Sequence, residues 1–393
     1  MPFSPRTDRR PLLGVDLTAA GARPGTHGAV GVVAARAFDG ERLARLVHRA
    51  DRGLLDLVVL GEGLLLHPGR RQVPGRLDAA VAAARVAPLV RTAALVAGVP
   101  HEQVEPGHLA GAVRGVQGAA GGPAGWQLPG PASRDAADER AWALRAAGAV
   151  DAVLAAWDAG EPGAVRRAAD GRFRVDHDGV RFAVRGRAAA RGDASGGGVA
   201  RGDAAPATPD RPLVVVPVAG PAAEALAGRY ADVARLTAPD LVAAAAARSR
   251  VRAAAVAAGR APDAVRVLLD VDVALADDRD AALARLDLVR SVEQPDLGVA
   301  GAVVAGTGAD LATVLADAVR DGAVDGFVVR PTSAEADLAA LVERTVPALQ
   351  QAGAFRLRPG GDGPGRGAAD PAPRGARALP AEAPWSAAPF ALT

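Results

Sequence analysis

One stretch of the sequence decides the fold, and from Arg91 to Leu128 it reads RTAALVAGVPHEQVEPGHLAGAVRGVQGAAGGPAGWQL. It opens with an apolar run of strand length that ends at Gly98, where the backbone must turn or approach another group closely. A helix is predicted to begin near Glu105-Pro106, because proline is tolerated in a first helical turn and an acid there complements the helix dipole. A second strand carries Trp126 and Gln127 at its C-terminal end. The stretch therefore predicts a βαβ unit, the repeating unit of an α/β fold with a parallel sheet.

A second segment, DLVVLGEG from Asp56 to Gly63, also contains an apolar run of strand length. A continuous apolar run that ends in Gly-Glu-Gly is typical of a parallel strand buried on both faces, with Glu62 emerging at its C-terminal end. Ligands of barrels built from βα units collect at the C-terminal ends of the strands. On the residues alone, a solvated loop acid is the simpler interpretation of Glu62.

The composition restricts the possible classes of function. The 393 residues include no cysteine, so disulfides, thiol catalysis and cysteine-based metal sites are excluded. The sequence pI is near 10.0 but the formal net charge is only +2, because every basic residue is arginine. No clustered basic stripe is present, so no nucleic-acid partner is expected. No apolar run reaches membrane-spanning length and residues 1–10 lack the apolar core of a signal peptide, so a cytoplasmic protein without a membrane partner is expected.

Two segments of the opening stretch resemble the signatures of a known enzyme family. EPGHLAG and GGPAGWQL are similar to the E-P-x-H-L-A-R and G-G-R-A-G-W-N-V-V-T-S motifs of the luciferase-like flavin monooxygenases. The most similar branch contains the nitrilotriacetate, dibenzothiophene-sulfone and alkanesulfonate monooxygenases. The resemblance implies a luciferase-like (β/α)₈ TIM barrel over residues 11–357, with a mobile insertion at 187–210. Residues 1–10 and 358–393 are predicted to be disordered.

The resemblance also implies where a flavin would bind. Glu62 matches an acid that lies close to the flavin, and Gly98 ends the strand before a loop at the same mouth. Gln127 stands where asparagine is usual and keeps an amide that can hydrogen-bond the ring. The turn Ala219-Gly220, before a helix, matches the segment that receives the FMN phosphate. No catalytic side chain is assigned.

Several positions depart from the family pattern and remove hydrogen-bond donors. Pro129-Gly130-Pro131 replaces V-T-S, Val218 replaces a glutamine, and the helix predicted over residues 134–159 lacks the tyrosine that helps to hold the flavin. His101 could donate at the mouth or lie exposed in its loop, and His108 is expected to cap or pack its helix. Flavin binding, if present, is therefore expected to be weak, in the micromolar range or weaker.

No metal is expected, because the adjacent polar residues Asp176, His177 and Asp178 lie at a predicted hairpin turn and cannot all converge on one ion. Three functional hypotheses follow. The first is an FMN-dependent monooxygenase that acts on a small organic substrate with molecular oxygen and receives reduced FMN from a separate flavin reductase as a diffusible co-substrate. The second is a flavin or deazaflavin oxidoreductase without oxygen insertion, and the third is a non-catalytic barrel. The resemblance also implies a homo-oligomer, a dimer or a tetramer.

Overall fold

A computed structural model of the chain describes residues 10–18, 39–64, 76–120, 122–131, 135–159, 165–167, 172–175, 186–187, 211–292 and 301–357. The predicted disordered ends, apart from residue 10, lie outside the described residues. The same holds for residues 188–210 of the predicted insertion and for the Asp176, His177 and Asp178 cluster. Within the described ranges, no helix is both long enough and apolar enough to span a membrane.

The main sheet of the described residues has nine parallel strands. They are β1 (Leu12–Asp16), β2 (Leu57–Gly61), β3 (Ala94–Gly98), β4 (Ala124–Gln127), β5 (Leu213–Val218), β6 (Val233–Leu236), β7 (Arg266–Leu275), β8 (Ala302–Gly306) and β9 (Gly326–Pro331). Eight of these strands close into a ring in the order β1-β2-β3-β4-β5-β6-β7-β9, because β9 pairs with both β7 and β1. The strand β8 lies outside the ring and pairs with the second half of β7, beyond the residues that pair with β6. The predicted TIM barrel is confirmed.

The helices follow the strands in chain order, as a barrel of βα units requires. They are α1 (Gly40–Arg52), α2 (Ala79–Val86), α3 (Pro106–Ala119), α4 (Ala136–Ala159), α5 (Pro221–Tyr230), α6 (Leu241–Ala257), α7 (Arg279–Val292), α8 (Gly308–Arg320), α9 (Ala334–Ala340) and α10 (Val346–Gln351). Glu105 caps α3 by accepting from the backbone of Gly107 and His108, and Pro106 occupies its first turn, as the sequence predicts. Asp78 and Asp240 cap α2 and α6 in the same way.

The two faces of the barrel strands have different surroundings. One face packs against the helices and includes Trp126 and Phe327. The other face forms a separate aliphatic cluster inside the ring, with members Leu12, Leu57, Val59, Ala94, Val96, Leu213, Val215, Val233, Leu268 and Val328. Because successive side chains of a strand alternate between its faces, these members fix which later positions also point into the lumen.

Some predicted details differ in the structure. The segment LVERTVPALQQAGAFR predicts a closing helix over residues 341–356, but in the structure the helical segment begins earlier, at Ala334, and includes a π-helical turn from Leu341 to Thr345. The three-and-four spacing of Trp142, Leu144 and Val150 predicts one apolar face on α4, but the side chain of Leu144 is 77% exposed. The turn predicted around Asp178-Gly179 lies outside the described residues, and the described residues on either side pair in an antiparallel arrangement, Arg172 with Arg187 and Phe173 with Gly186.

Candidate functional site

The lumen changes from aliphatic to polar at the C-terminal ends of the strands. The alternation set by the aliphatic cluster points six polar residues into this end of the barrel: Asp16, Gln127, Arg235, Asp270, Asp272 and Arg330. These six residues form what we call the polar floor. They lie at the mouth where TIM-barrel enzymes carry their active sites.

Arg235 lies at the centre of the polar floor and is only 4% exposed. Its guanidinium donates to both carboxylate oxygens of Asp270, each at 2.9 Å. It also donates to Asp16 at 2.7 Å and to the side-chain oxygen of Gln127 at 2.6 Å. A planar guanidinium suits this arrangement because its donors point in fixed directions. The network connects four strands, β1, β4, β6 and β7.

The electrostatics of this network favour the charged forms of Arg235 and Asp16, whereas burial raises the pKa of Asp270 despite its contact with Arg235. Burial alone would lower the pKa of Arg235, but Asp270 and Asp16 outweigh burial and raise it. Burial likewise pushes the pKa of Asp16 upward, yet Arg235 and the hydrogen bonds from Thr18 hold it below its usual value. Arg235 and Asp16 are therefore both charged at neutral pH. The satisfied donors and acceptors make this part of the lumen a fixed surface.

The contact with Arg235 determines how the amide of Gln127 is oriented. An arginine can only donate, so the oxygen of the amide must face it and the NH₂ group must face away. Within the described residues, no hydrogen bond to that NH₂ group is present. Gln127 therefore offers one oriented donor at the mouth.

A second ion pair completes the polar floor. Arg330 donates to Asp272 through two nearly parallel bonds of 2.7 and 2.6 Å. Burial would lower the pKa of Arg330, but its hydrogen bond and charge interaction with Asp272 raise it. The polar floor thus contains three acids and two arginines, a formal charge of minus one, and it gives an anion no free cation.

On the opposite side of the mouth, the described strands β2 and β3 both end in glycine. Gly61 pairs with Gly98, and Gly98 pairs with Gln127, so the three positions form a row across β2, β3 and β4. A Cβ atom on Gly98 would lie 3.0 Å from the Cα atom of Gly61. The hydroxyl of Thr18 lies above Gly61 and accepts its backbone N–H at 3.1 Å. In this glycine row, Gly61 and Gly98, the side chain of Thr18 therefore covers Gly61, and Gly98 is the half-buried backbone position next to the amide of Gln127.

Glu62 follows this row but does not belong to it. The lumen-facing residue at the end of β2 is Gly61, and Glu62 is the first residue after the strand, where it is half-buried. The assignment of Glu62 to a cofactor site stays a prediction.

The turn Ala219-Gly220 leads into α5, as the sequence predicts, but the N-terminus of this helix is already capped from another element. The carboxylate of Glu139, on α4, accepts from the backbone N–H of Ala223 at 3.0 Å. A Cβ atom on Gly220 would lie 2.5 Å from one of its oxygens. Glu139 is only 7% exposed, so its charge is poorly screened by water. An incoming phosphate at this turn would meet a buried negative charge.

A cavity of about 450 Å³ lies next to the mouth, between the loop after β3 and the first turns of α4. His101 lines this cavity and is only 8% exposed, so the alternative of an exposed loop histidine is wrong. Within the described residues neither ring nitrogen of His101 has a hydrogen-bond partner. Burial lowers the pKa of His101, which makes the ring neutral at pH 7.

His108 lies elsewhere. Its side chain is 86% exposed, and its Nδ1 atom lies 3.1 Å from the carboxylate of Glu105, which caps the same helix. The expectation that His108 caps or packs its helix is wrong, because Glu105 is the cap and the imidazole is exposed. His108 therefore takes no part in the mouth.

Solved structures with the same fold include flavin and F420 enzymes. EDTA monooxygenase from Chelativorans sp. BNC1 is 21% identical over 88% of this chain and 95% of that chain, with a TM-score of 0.66. A riboflavin lyase solved with modified FMN and riboflavin is 18% identical over 90% of this chain and 94% of that chain, with a TM-score of 0.69. An F420-dependent secondary alcohol dehydrogenase is 13% identical over 86% and 99%, with a TM-score of 0.57. No protein-family model matches the sequence. No curated protein matches it either.

These similarities confirm the luciferase-like fold that the sequence motifs indicate. The residues at the mouth suit the ring of a flavin but not its phosphate. The glycine row and the amide of Gln127 suit the edge of a flat ring, which has acceptor atoms of its own. The Ala219-Gly220 turn does not suit a phosphate while Glu139 caps α5.

Proposed function

We propose that this chain is an oxidoreductase that binds a flavin ring at the C-terminal mouth of its barrel and uses it on a small organic substrate. The observation that carries the proposal is the amide of Gln127, which Arg235 holds with its NH₂ group directed away from the polar floor. The fold shared with EDTA monooxygenase and with the riboflavin lyase supports a flavin as the bound ring.

The proposed reaction is a monooxygenation. Reduced flavin, when bound, supplies the electrons that allow one atom of molecular oxygen to enter the substrate while the other leaves as water. Because the turn before α5 does not suit a phosphate, reduced FMN would visit as a diffusible co-substrate delivered by a flavin reductase. Gln127 would donate to the ring, and Arg235 would keep that amide from rotating. The aliphatic lumen below the polar floor would exclude water from beneath.

An oxidoreductase that uses a deazaflavin and inserts no oxygen is the second candidate. The fold that the chain shares with the F420-dependent alcohol dehydrogenase favours it. The two candidates differ in whether oxygen is consumed.

The test is an anaerobic titration with reduced FMN, followed by measurement of oxygen uptake. Gln127→Glu is the informative variant, because it keeps an oxygen for Arg235 and removes the NH₂ donor. We expect it to weaken flavin binding about tenfold or more, since one donor is lost and a charge is added near the ring. His108→Ala, on an exposed side chain, is the control. If neither FMN nor a deazaflavin binds at millimolar concentration, the proposal is refuted and a non-catalytic barrel is favoured.

A further inference from the structure

Arg330, at the C-terminal end of β9, indicates which substrates this protein accepts. We propose that its Nη1 atom donates a hydrogen bond to an uncharged carbonyl oxygen of the substrate, so that Arg330 selects ketones, esters and amides. That this molecule is the substrate rests on the proposed function, whereas the preference of the mouth for a neutral carbonyl does not. Three observations carry the inference: an accessible donor, its surrounding charge and its position in the barrel.

The first observation is the pattern of hydrogen bonds around Arg330. Its Nε and Nη2 atoms donate to the two carboxylate oxygens of Asp272 at 2.7 and 2.6 Å. Its Nη1 atom makes no hydrogen bond within the described residues and keeps surface that solvent can reach. The side chain of Arg330 is 29% exposed, compared with 4% for Arg235. Nη1 is therefore a donor that a ligand in the mouth can contact.

The pairing with Asp272 holds this donor in a fixed orientation. The guanidinium is planar, and two nearly parallel bonds to one carboxylate keep it in a single plane. Asp272 follows the buried Asp270 by two residues on the same face of β7, so the strand anchors the pair. A donor that is held in place before binding loses little conformational entropy when it meets an acceptor.

The second observation is the charge around the donor. The carboxylate of Asp272 neutralises the guanidinium of Arg330, and the acids Asp16 and Asp270 outnumber Arg235 in the rest of the polar floor. The mouth therefore has no excess positive charge. An anion would gain a hydrogen bond from Nη1 but would be repelled by the surrounding carboxylates. A carbonyl oxygen accepts the same hydrogen bond without a charge, and it needs no acceptor in return.

The third observation is the position of Arg330 in the ring of eight strands. Because the ring has the order β1-β2-β3-β4-β5-β6-β7-β9, the strand β9 lies four strands from β4 in either direction. Arg330 and Gln127, at the ends of these two strands, therefore lie on opposite walls of the mouth. Arg330 is the lumen position directly after Val328 of the aliphatic cluster. A substrate bound to Arg330 would thus face Gln127, which is proposed to hold the flavin ring.

The experiment compares three probes of the same shape, acetophenone, α-methylstyrene and benzoate, on flavin-free protein at pH 7.5. Their affinities are measured by ligand-observed NMR titration. Acetophenone has the carbonyl oxygen, α-methylstyrene has a methylene group in its place, and benzoate has a charged carboxylate. We expect acetophenone to bind at least fivefold more tightly than α-methylstyrene, because a probe without the oxygen leaves Nη1 unpaired. Benzoate should bind more weakly than acetophenone because of its charge.

The informative variant combines Arg330→Met with Asp272→Leu, which removes the donor together with its ion pair and leaves the net charge unchanged. It should bind acetophenone and α-methylstyrene with equal affinity. The matched control combines Arg320→Met with Asp317→Leu, which removes an exposed ion pair from α8, and should keep the fivefold preference. A loss of affinity by the same factor for both probes in the informative variant would mark Arg330 as a structural residue and overturn the proposal.

Two results with wild-type protein would overturn the proposal without any variant. They are equal affinities for acetophenone and α-methylstyrene, and no binding of any probe at millimolar concentration. A preference for benzoate would overturn it as well. Failure of the proposed function is distinguishable from failure of this inference. A carbonyl preference without any flavin binding would refute the oxidoreductase, and flavin binding without a carbonyl preference would refute the role of Arg330.

Discussion

Replacing Glu139 by glutamine should let FMN bind at least tenfold more tightly while leaving riboflavin binding unchanged. The carboxylate of Glu139 caps α5 through the N–H of Ala223, next to the turn where an FMN phosphate would lie. Two unit charges about 4 Å apart at an effective dielectric constant of about 20 repel by about 4 kcal/mol. Recovery of one third of that value, about 1.4 kcal/mol, corresponds to a factor of ten in affinity.

Glutamine suits this test because it has nearly the same shape and keeps an oxygen for the Ala223 N–H. We therefore expect the free energy of unfolding to change by less than about 1 kcal/mol. Riboflavin has no phosphate, so its affinity reports on the ring alone. The assay is a titration of flavin fluorescence with both ligands, in wild-type protein and in the variant.

Asp240→Asn is the control, because Asp240 also caps a helix on the same side of the barrel, through the N–H of Ala243. It should leave the ratio of FMN to riboflavin affinity unchanged. Wild-type protein is expected to be colourless as purified and to bind FMN no more tightly than riboflavin. An identical ratio in wild-type protein and Glu139→Gln would refute the reasoning, since it would show that the phosphate does not approach α5.

Three other perturbations test the polar floor, the cavity and the mouth. Arg235→Leu leaves the buried acids without their partner and should lower the free energy of unfolding in urea by about 3–5 kcal/mol, whereas Arg320→Leu, which removes an exposed pair with Asp317, should change it by less than about 0.5 kcal/mol. A loss below 1 kcal/mol in Arg235→Leu would contradict the network. Burial lowers the pKa of His101, so the unfolded chain binds a proton at this histidine more readily than the folded chain does. The free energy of unfolding therefore falls as the pH drops below about 6.5. Thermal unfolding at pH 7.5 and 5.5 should therefore show a smaller pH effect in His101→Phe than in wild-type protein, and equal pH effects would exclude the buried neutral ring. Glu62→Ala should reduce the free energy of flavin binding more than the free energy of unfolding. Equal losses of these two free energies would mark Glu62 as a structural acid.

Much of the fold follows from local signals in the sequence. Strands such as β2, LVVLG, and β5, LVVVPV, are apolar runs rich in valine and leucine, and a buried parallel strand needs little else. The N-terminus of α3 was predictable because Glu105 and Pro106 act on their own helix within one turn. The π-helical turn after Ala340 has no such local signal, because a run of good helix formers is compatible with both helix types.

The polar floor was not predicted, since its contacts join residues far apart in the sequence. Arg235 and Asp16 are separated by 219 positions, and neither neighbourhood indicates the other. A signal did exist in β7, where Asp270 and Asp272 alternate with valine in LLDVDVAL. In a strand whose other face packs on helices, that alternation indicates a charged lumen. Glu139, 84 positions from Ala223, was missed for the same reason of distance.

The network around Arg235 also has a consequence for the order in which the barrel assembles. Its partners come from β1, β4 and β7, so the guanidinium can lose its water only when all four strands are in place. Before the ring closes, a hydrated arginine is more stable at an open edge than in a half-formed lumen. We therefore predict that the contacts form after the rate-limiting step of folding, so that removing them accelerates unfolding while the refolding rate stays nearly constant. In kinetic terms, Arg235 is expected to slow the unfolding of the closed barrel and to take no part in its folding nucleus.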